Sequence, residues 1–290
     1  MRTVVPMGED RQRLTEAPAR KALGQHFLFD PDILRRTALA AGPVEGRTVI
    51  EVGPGPGGLT RALLEAGAGK VIAVEADQRF ADALKTWQDA GTNRLHVHEG
   101  DARRTNWEKL IELAEGTEPA MIIANLPYNV GTPLFIDWLK AGPWRGEMAL
   151  MFQKEVAERI CACPGDKHYG RLAVLSQSVS KPHVAFTLPP GAFRPPPKVD
   201  SAVAVLEPLA DSERFEDLST LERITAAAFG QRRKMLRASL KSYAKQNGLD
   251  IINWLESAGI NPEARAETVD QTGWRSIARA TAHAGGRKES

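Results

Sequence analysis

Two short stretches of this chain combine residue types that do chemistry rather than packing. Val49-Ile50-Glu51-Val52 runs into Gly53-Pro54-Gly55-Pro56-Gly57-Gly58, a β-branched run followed by a glycine loop and then a helical pattern. Such a loop lets a ligand approach the backbone at the carboxyl end of a strand, where open α/β sheets bind ligands. The pattern satisfies both G-x-G-x-G and G-x-G-x-x-G, so spacing alone leaves the ligand open. The prolines narrow the choice. Each lacks a backbone N–H, and a loop that held a pyrophosphate would keep those donors, so a nucleoside without phosphates suits it better. Glu75 closes the next apolar run about 20 residues on, where a carboxylate accepts from both ribose hydroxyls. Asp101, after the third run, adds a second carboxylate placed to accept from an adenine amino group. The alternative for either acid is a helix N-cap or a solvated turn. The second stretch is Asn125-Leu126-Pro127-Tyr128, which breaks the apolar run Ala120-Met121-Ile122-Ile123 with an amide, a proline and a phenol that core packing does not ask for.

The elements that must position these residues read as an α/β domain. Strands are expected at 48–52, 70–75, 95–98 and 120–124, with helix-length segments at 59–66 and 78–89 between them, the pattern of a parallel sheet with crossover helices. Further strands are expected at 147–152, 181–187 and 201–206, with the turn Arg194-Pro195-Pro196-Pro197-Lys198 outside the sheet because proline cannot donate to a ladder. From Asp211 onward no strand pattern remains and apolar residues fall at helical spacing, as at Leu236, Leu240 and Tyr243. The expected organisation is a variable N-terminal extension at 1–20, a catalytic domain at 21–209 and a smaller all-helical domain at 210–290 that ends in a frayed tail from Ala284.

The 290 residues carry a net charge of only +2, so any contact with nucleic acid must come from local basic patches. The N-terminal segment lacks the apolar core of a signal peptide, and no stretch reads as a membrane span. Cys161 and Cys163 are too few for a disulfide framework or a complete zinc site, and two inert thiols in a reducing cytoplasm is the expected reading.

Five motifs, in order, resemble the adenosine dimethyltransferases of ribosomal RNA, and most closely those of the small subunit, the KsgA/RsmA family. They are GQHFL at 24–28, EVGPGPGG at 51–58, GDA at 100–102, NLPYN at 125–129 and FRPPPKVDSAV at 193–203. The resemblance implies a Rossmann-like class I methyltransferase fold and S-adenosylmethionine as methyl donor, with no metal. It implies donor contacts at His26, Leu28, Gly53, Glu75, Asp101 and Asn125, with His26 standing where the family often has asparagine. The implied substrate is 16S rRNA within the small ribosomal subunit, dimethylated at N6 of adenosines near its 3′ end by a monomeric enzyme with a role in subunit biogenesis. Two alternatives stand beside it: a large-subunit adenosine methyltransferase, and a ribosome-assembly factor whose methyltransferase site is idle.

On that reading, the Asn125-Leu126-Pro127-Tyr128 turn has a chemical purpose. The adenine N6 lone pair is delocalised into the ring and must be turned toward the methyl group. Two acceptors set against the N6 protons, the Asn125 oxygen and the Leu126 or Pro127 carbonyl, favour the pyramidal amine and stabilise the charge that develops. Tyr128 stacks on the target ring, with Phe193 as a second face, so the base must leave its helix. No strong general base is needed, because the product ammonium sheds its proton readily. RNA phosphates are expected along a basic helical segment carrying Arg232, Arg233, Lys234, Arg237 and Lys241, with Lys245 on the same face and Leu236 and Leu240 opposite.

Overall fold

The computed structural model describes residues 26–127 and 130–285. The expectations for residues 1–20, for Tyr128 and for the tail beyond 285 lie outside them. Nine strands follow in chain order: β1 (Phe27–Leu28), β2 (Thr48–Val52), β3 (Lys70–Glu75), β4 (Leu95–Glu99), β5 (Ala120–Asn125), β6 (Arg145–Gln153), β7 (Ser180–Leu188), β8 (Phe193–Arg194) and β9 (Ser201–Pro208). Seven of them form one sheet in the order β4-β3-β2-β5-β6-β9-β7, and β1 pairs antiparallel with β8 in a separate ribbon. From β4 to β6 the neighbours are parallel, and β9 runs antiparallel to β6. Strands covered on both faces need continuous apolar sequence. Val49, Ile50, Val71, Ile72, Ile122 and Ile123 supply it at 0% exposure, each contributing roughly 1.5–3 kcal/mol by burial.

The chain lays down β2, β3 and β4 outward in one direction, then returns to place β5 on the other side of β2. The carboxyl ends of β2 and β5 therefore flank the topological switch point, the crevice where such sheets take ligands. Gly53 follows β2, Glu75 ends β3, Asp101 follows β4 and Asn125 ends β5, so four strand ends deliver the expected site residues to one edge.

The helices that cover this part are α1 (Pro31–Ala38), α2 (Gly58–Glu65), α3 (Gln78–Lys85), α4 (Gln88–Gly91), α5 (Trp107–Leu113) and α6 (Gly131–Leu139). α1 starts where Asp30 accepts from the Asp32 and Ile33 amides and Pro31 takes the first turn, the usual Asp-Pro start signal. α2 starts at the end of the glycine loop, with Gly57 at φ +80°. A Cβ there would lie 2.5 Å from the Trp87 ring, so both backbone and packing require glycine.

Contacts divide the described residues into two compact units, those up to 154 with 184–207, and 155–183 with those from 208. This differs from a single cut near residue 210. The second unit gathers α7 (Lys154–Cys161), α8 (Arg171–Gln177), α9 (Leu218–Phe229), α10 (Leu236–Ser239), α11 (Lys241–Gln246), α12 (Ile251–Ser257) and α13 (Gln271–Gly285). Within it the buried Tyr169 hydroxyl donates to the Val269 carbonyl at 3.0 Å, and Arg171 pairs with Glu222 at 3.6 Å. These bonds tie residues 155–183 to partners far along the chain, which local pattern does not reveal.

The expected basic helix is also corrected. Residues 230–235 form a turn, and two short helices, α10 and α11, meet at Leu240. The interruption has a cause: Met235 bridges Arg265, while the Leu236 and Arg237 amides donate to the Ala264 and Pro262 carbonyls at 2.8 and 3.0 Å, bonds a continuous helix would have used internally. Leu236 and Leu240 are buried at 0% as their spacing predicts.

Candidate active site

The glycine amides inside the loop after β2 are already spoken for. Gly53 N–H donates to Val74 O at 2.9 Å, Gly55 N–H to Glu75 Oε2 at 3.0 Å and Gly57 N–H to Pro54 O at 2.9 Å, while Pro54 and Pro56 have none to give. The turn is tight because Gly53, Gly55 and Gly57 all hold positive φ, between +53° and +80°, alternating with prolines fixed near the opposite sign. Gly55 also meets the Phe27 ring, into which a Cβ would come within 2.5 Å.

A cavity of about 250 Å3 opens against this loop. Apolar groups of Leu28, Val52, Leu126, Pro127 and Leu134 line it, together with three carboxyl groups, those of Glu51, Glu75 and Asp101, and the Asn125 amide. Arg103 supplies the one guanidinium among the described lining residues, and it is already paired with Asp101 at 2.7 Å. A pocket lined by carboxyl groups, against a loop whose glycine amides at 53, 55 and 57 are engaged, suits a cationic nucleoside such as a sulfonium donor better than a pyrophosphate.

Glu75 is 4% exposed, and each of its oxygens accepts one backbone N–H, Oε1 from Asp77 at 2.7 Å and Oε2 from Gly55 at 3.0 Å. A carboxylate has about four lone-pair positions, so both oxygens retain capacity for hydroxyl donors. Burial pushes its pKa up, opposed by these amides. Asp101 is more open. It caps its own turn at Arg103 N (3.0 Å) and receives the Arg103 guanidinium at 3.1 and 2.7 Å, which holds its pKa below the usual carboxylate range. Asp77 and Arg79 repeat the same arrangement after β3. The third acid, Glu51, belongs to the EVGPGPGG motif, and its role comes from burial that the motif does not show. It is 2% exposed inside β2 and accepts the Thr60 hydroxyl at 2.6 Å, and burial pushes its pKa up to about 8.

Asn125 donates its Nδ2 to the His26 carbonyl at 2.9 Å. Only a donor suits a carbonyl, so this bond fixes the amide's orientation and leaves Oδ1 as the acceptor. His26 is held in turn through Nδ1 to the Pro195 carbonyl at 2.8 Å. The Pro127 carbonyl already accepts from the Val130 and Gly131 amides at 3.1 and 3.0 Å. Of the two main-chain acceptors considered beside Asn125, this favours Leu126. The Leu126 side chain is 2% exposed, packed where a Cβ on Gly131 would come within 3.2 Å of it.

His26, Leu28, Gly53, Glu75, Asp101, Asn125, Leu126 and Pro127 thus share one cavity wall. Phe193 does not join them. It is 2% exposed within the apolar core, because pairing of β8 with β1 sets it opposite Leu28 on the inward face, and it has no open ring face for a base. In the second unit, Arg233, Lys234 and Lys241 are exposed with no ion pair among the described residues. Arg232 is committed to Glu267 at 2.7 Å and the Lys167 carbonyl at 2.8 Å, and Arg237 lies 3.4 Å from Glu263. Burial pushes the Cys161 thiol up to about 12, consistent with an inert role. Among the described residues no group of three or more His, Cys, Asp or Glu could hold a metal, and no helix is long and apolar enough to cross a membrane.

A family model described as ribosomal RNA adenine dimethylase matches residues 17–283. The chain belongs to this family. It is 52% identical over 263 residues to ribosomal RNA small subunit methyltransferase A of Maricaulis maris, covering 90% of each chain. It is 52% identical to the protein of the same name from Caulobacter vibrioides, covering 91% of this chain and 97% of that one. A dimethyladenosine transferase from Plasmodium falciparum has a similar structure, with a TM-score of 0.74 at 27% identity over 90% of this chain and 98% of that one. The 23S rRNA methyltransferase ErmE is more distant, with a TM-score of 0.63 at 25% identity over 88% of this chain and 99% of that one. Family membership makes this chain an rRNA adenine dimethyltransferase with a Rossmann-like catalytic sheet.

Proposed function

We propose that this chain uses S-adenosylmethionine to dimethylate the N6 amine of adenosines, two adjacent ones, near the 3′ end of 16S rRNA in the small ribosomal subunit, and so serves subunit biogenesis in the cytoplasm. The donor supplies an electrophilic methyl group on a cationic sulfur. Glu75 would hold its ribose hydroxyls with the lone pairs left after Gly55 and Asp77, and Asp101 its adenine amine. Leu28 and Gly53 would bound it by shape and His26 from the rim.

The observation that carries the reading is the Asn125 bond to the His26 carbonyl, inside a cavity lined by carboxyl groups. It turns Oδ1 into a fixed acceptor for one N6 proton, while the Leu126 carbonyl takes the other. A preorganised acceptor at the atom where positive charge develops lowers the barrier without rearrangement during the reaction. Tyr128 would stack on the extruded base. Arg233, Lys234, Lys241 and Lys245 are exposed basic groups of this segment available to RNA phosphates.

The small-subunit assignment is favoured over the large-subunit alternative by relatives at 52% identity that carry the small-subunit name, against 25% for ErmE. An idle site is disfavoured by the assembly of Glu75, Asp101 and Asn125 on one cavity. The test is transfer of labelled methyl to unmethylated small and large subunits in parallel. Label on small subunits alone is expected, and label on large subunits would transfer the assignment to the alternative.

A further inference from the structure

With Phe193 turned into the core, the residue beside it becomes the informative one. β1 and β8 pair with Phe27 opposite Arg194 and Leu28 opposite Phe193. Side chains alternate across a ribbon, so Leu28 and Phe193, at 5% and 2% exposure, go inward together while Arg194 stands out in solvent. Just past the end of β1, the half-buried Phe29 ring meets the Arg194 guanidinium, 5.8 Å from its centroid. A second such pair in the same unit differs. Arg36 lies 4.0 Å from the Phe186 centroid and closes over a ring that is 9% exposed, a core ring capped by a cation. Phe29 keeps ring surface free.

Its position relative to the reacting group follows from the chain. Asn125 is bonded to the His26 carbonyl, and Phe29 lies three residues further on, at most about 11 Å along an extended backbone. The His26 bond to Pro195 O fixes both sides of the pair, since Pro195 follows Arg194 and His26 precedes β1. An aromatic ring with a guanidinium at its side thus lies on the segment that continues from His26, whose carbonyl holds the amide that aims the target amine.

We propose that Phe29, supported by Arg194, is the platform on which a nucleotide flanking the target adenosine stacks. This rests on the RNA reading given under Proposed function. Extruding one base leaves its neighbours without a stacking partner, and a partly open ring with an adjacent cation replaces what they lose, tolerating any base identity. The contact would set how the strand enters, and Phe29 would be a substrate-positioning residue with no part in donor binding.

The test compares wild type, Phe29→Leu and Phe29→Trp in methyl transfer to unmethylated small subunits. Donor affinity is measured by calorimetry, and fluorescence is recorded from a single-stranded RNA containing 2-aminopurine next to an adenosine. Leucine fills the space without stacking, and tryptophan stacks. Phe29→Leu is expected to raise KM for small subunits roughly 5- to 150-fold, the range for losing one base–aromatic stack. It should also relieve the quenching of the bound 2-aminopurine and leave donor affinity and Tm at wild-type values, and Phe29→Trp should restore both KM and quenching. Unchanged KM and quenching in Phe29→Leu, or equal impairment of the two variants, would overturn the proposal. If wild type itself transferred no methyl to small subunits, the assigned substrate would fail, and the quenching comparison would still decide the role of Phe29.

Discussion

Glu51→Gln is the substitution whose effect the structure sizes most directly. The Glu51 carboxyl is 2% exposed inside β2 and accepts the Thr60 hydroxyl at 2.6 Å through one oxygen. Burial raises its pKa from 4.5 to about 8, with the nearby Glu75 charge adding to the rise and the Thr60 hydrogen bond opposing it. In the unfolded chain the group ionises near 4.5, so between 4.5 and about 8 the folded state holds a proton that the unfolded state has lost. Stability contributed by this group is therefore complete below 4.5 and is lost as pH rises through about 8. The slope is about −1.4 kcal/mol per pH unit, or roughly 2–3 kcal/mol between about pH 5.5 and about pH 7.5. Glutamine has the same shape, can still accept from Thr60 and does not titrate. Urea unfolding at the two pH values should show wild type losing roughly 2–3 kcal/mol more than Glu51→Gln over that interval, with the variant the more stable at the higher pH. Parallel pH dependences for the two proteins would refute a protonated Glu51.

Glu75→Gln should weaken donor affinity by about 10-fold or more and also lower stability by about 1–3 kcal/mol, because an amide can offer only one acceptor to the Gly55 and Asp77 N–H groups. Calorimetry showing unchanged donor affinity would confine that carboxylate to holding the loop. Asn125→Ala should keep donor binding and cut turnover by about 100-fold or more, the scale of losing one charge-stabilising contact, and normal turnover would remove the role assigned to its oxygen. Charge reversal at Arg233 and Lys234 should flatten the salt dependence of RNA binding by roughly one to two units of slope. Arg232→Ala, which breaks the pair with Glu267, should lower stability with little change in that slope. Equal slopes in wild type and the double reversal would return those cations to solvent.

What the sequence made legible follows a physical divide. β2, β3 and β5 are buried on both faces, so they read as apolar runs, broken within β2 only by the buried Glu51, and Glu75 and Asn125 close theirs where the sheet opens to a ligand. The prolines of the loop disclosed its shortage of donors for a phosphate because a missing N–H is written in the residue type. Features set by distant pairing were not legible. Phe193 faces inward because β8 meets β1 from the other end of the domain, and nothing in FRPPPK tells which side of a two-residue strand is covered. The basic segment has the spacing of one helix, yet the Met235 bridge to Arg265 ends that helix before it begins. Arg232, read from composition as a phosphate ligand, spends its guanidinium on Glu267 and two carbonyls.

Most of the account converges on one amine being methylated twice. Small subunits lacking the modification, incubated with wild type and with Asn125→Ala and then digested for nucleoside mass spectrometry, test it directly. N6,N6-dimethyladenosine in two adjacent positions near the 3′ end of 16S rRNA is expected with wild type and little or none with the variant. No dimethyladenosine with wild type, or equal amounts with both proteins, would contradict the account.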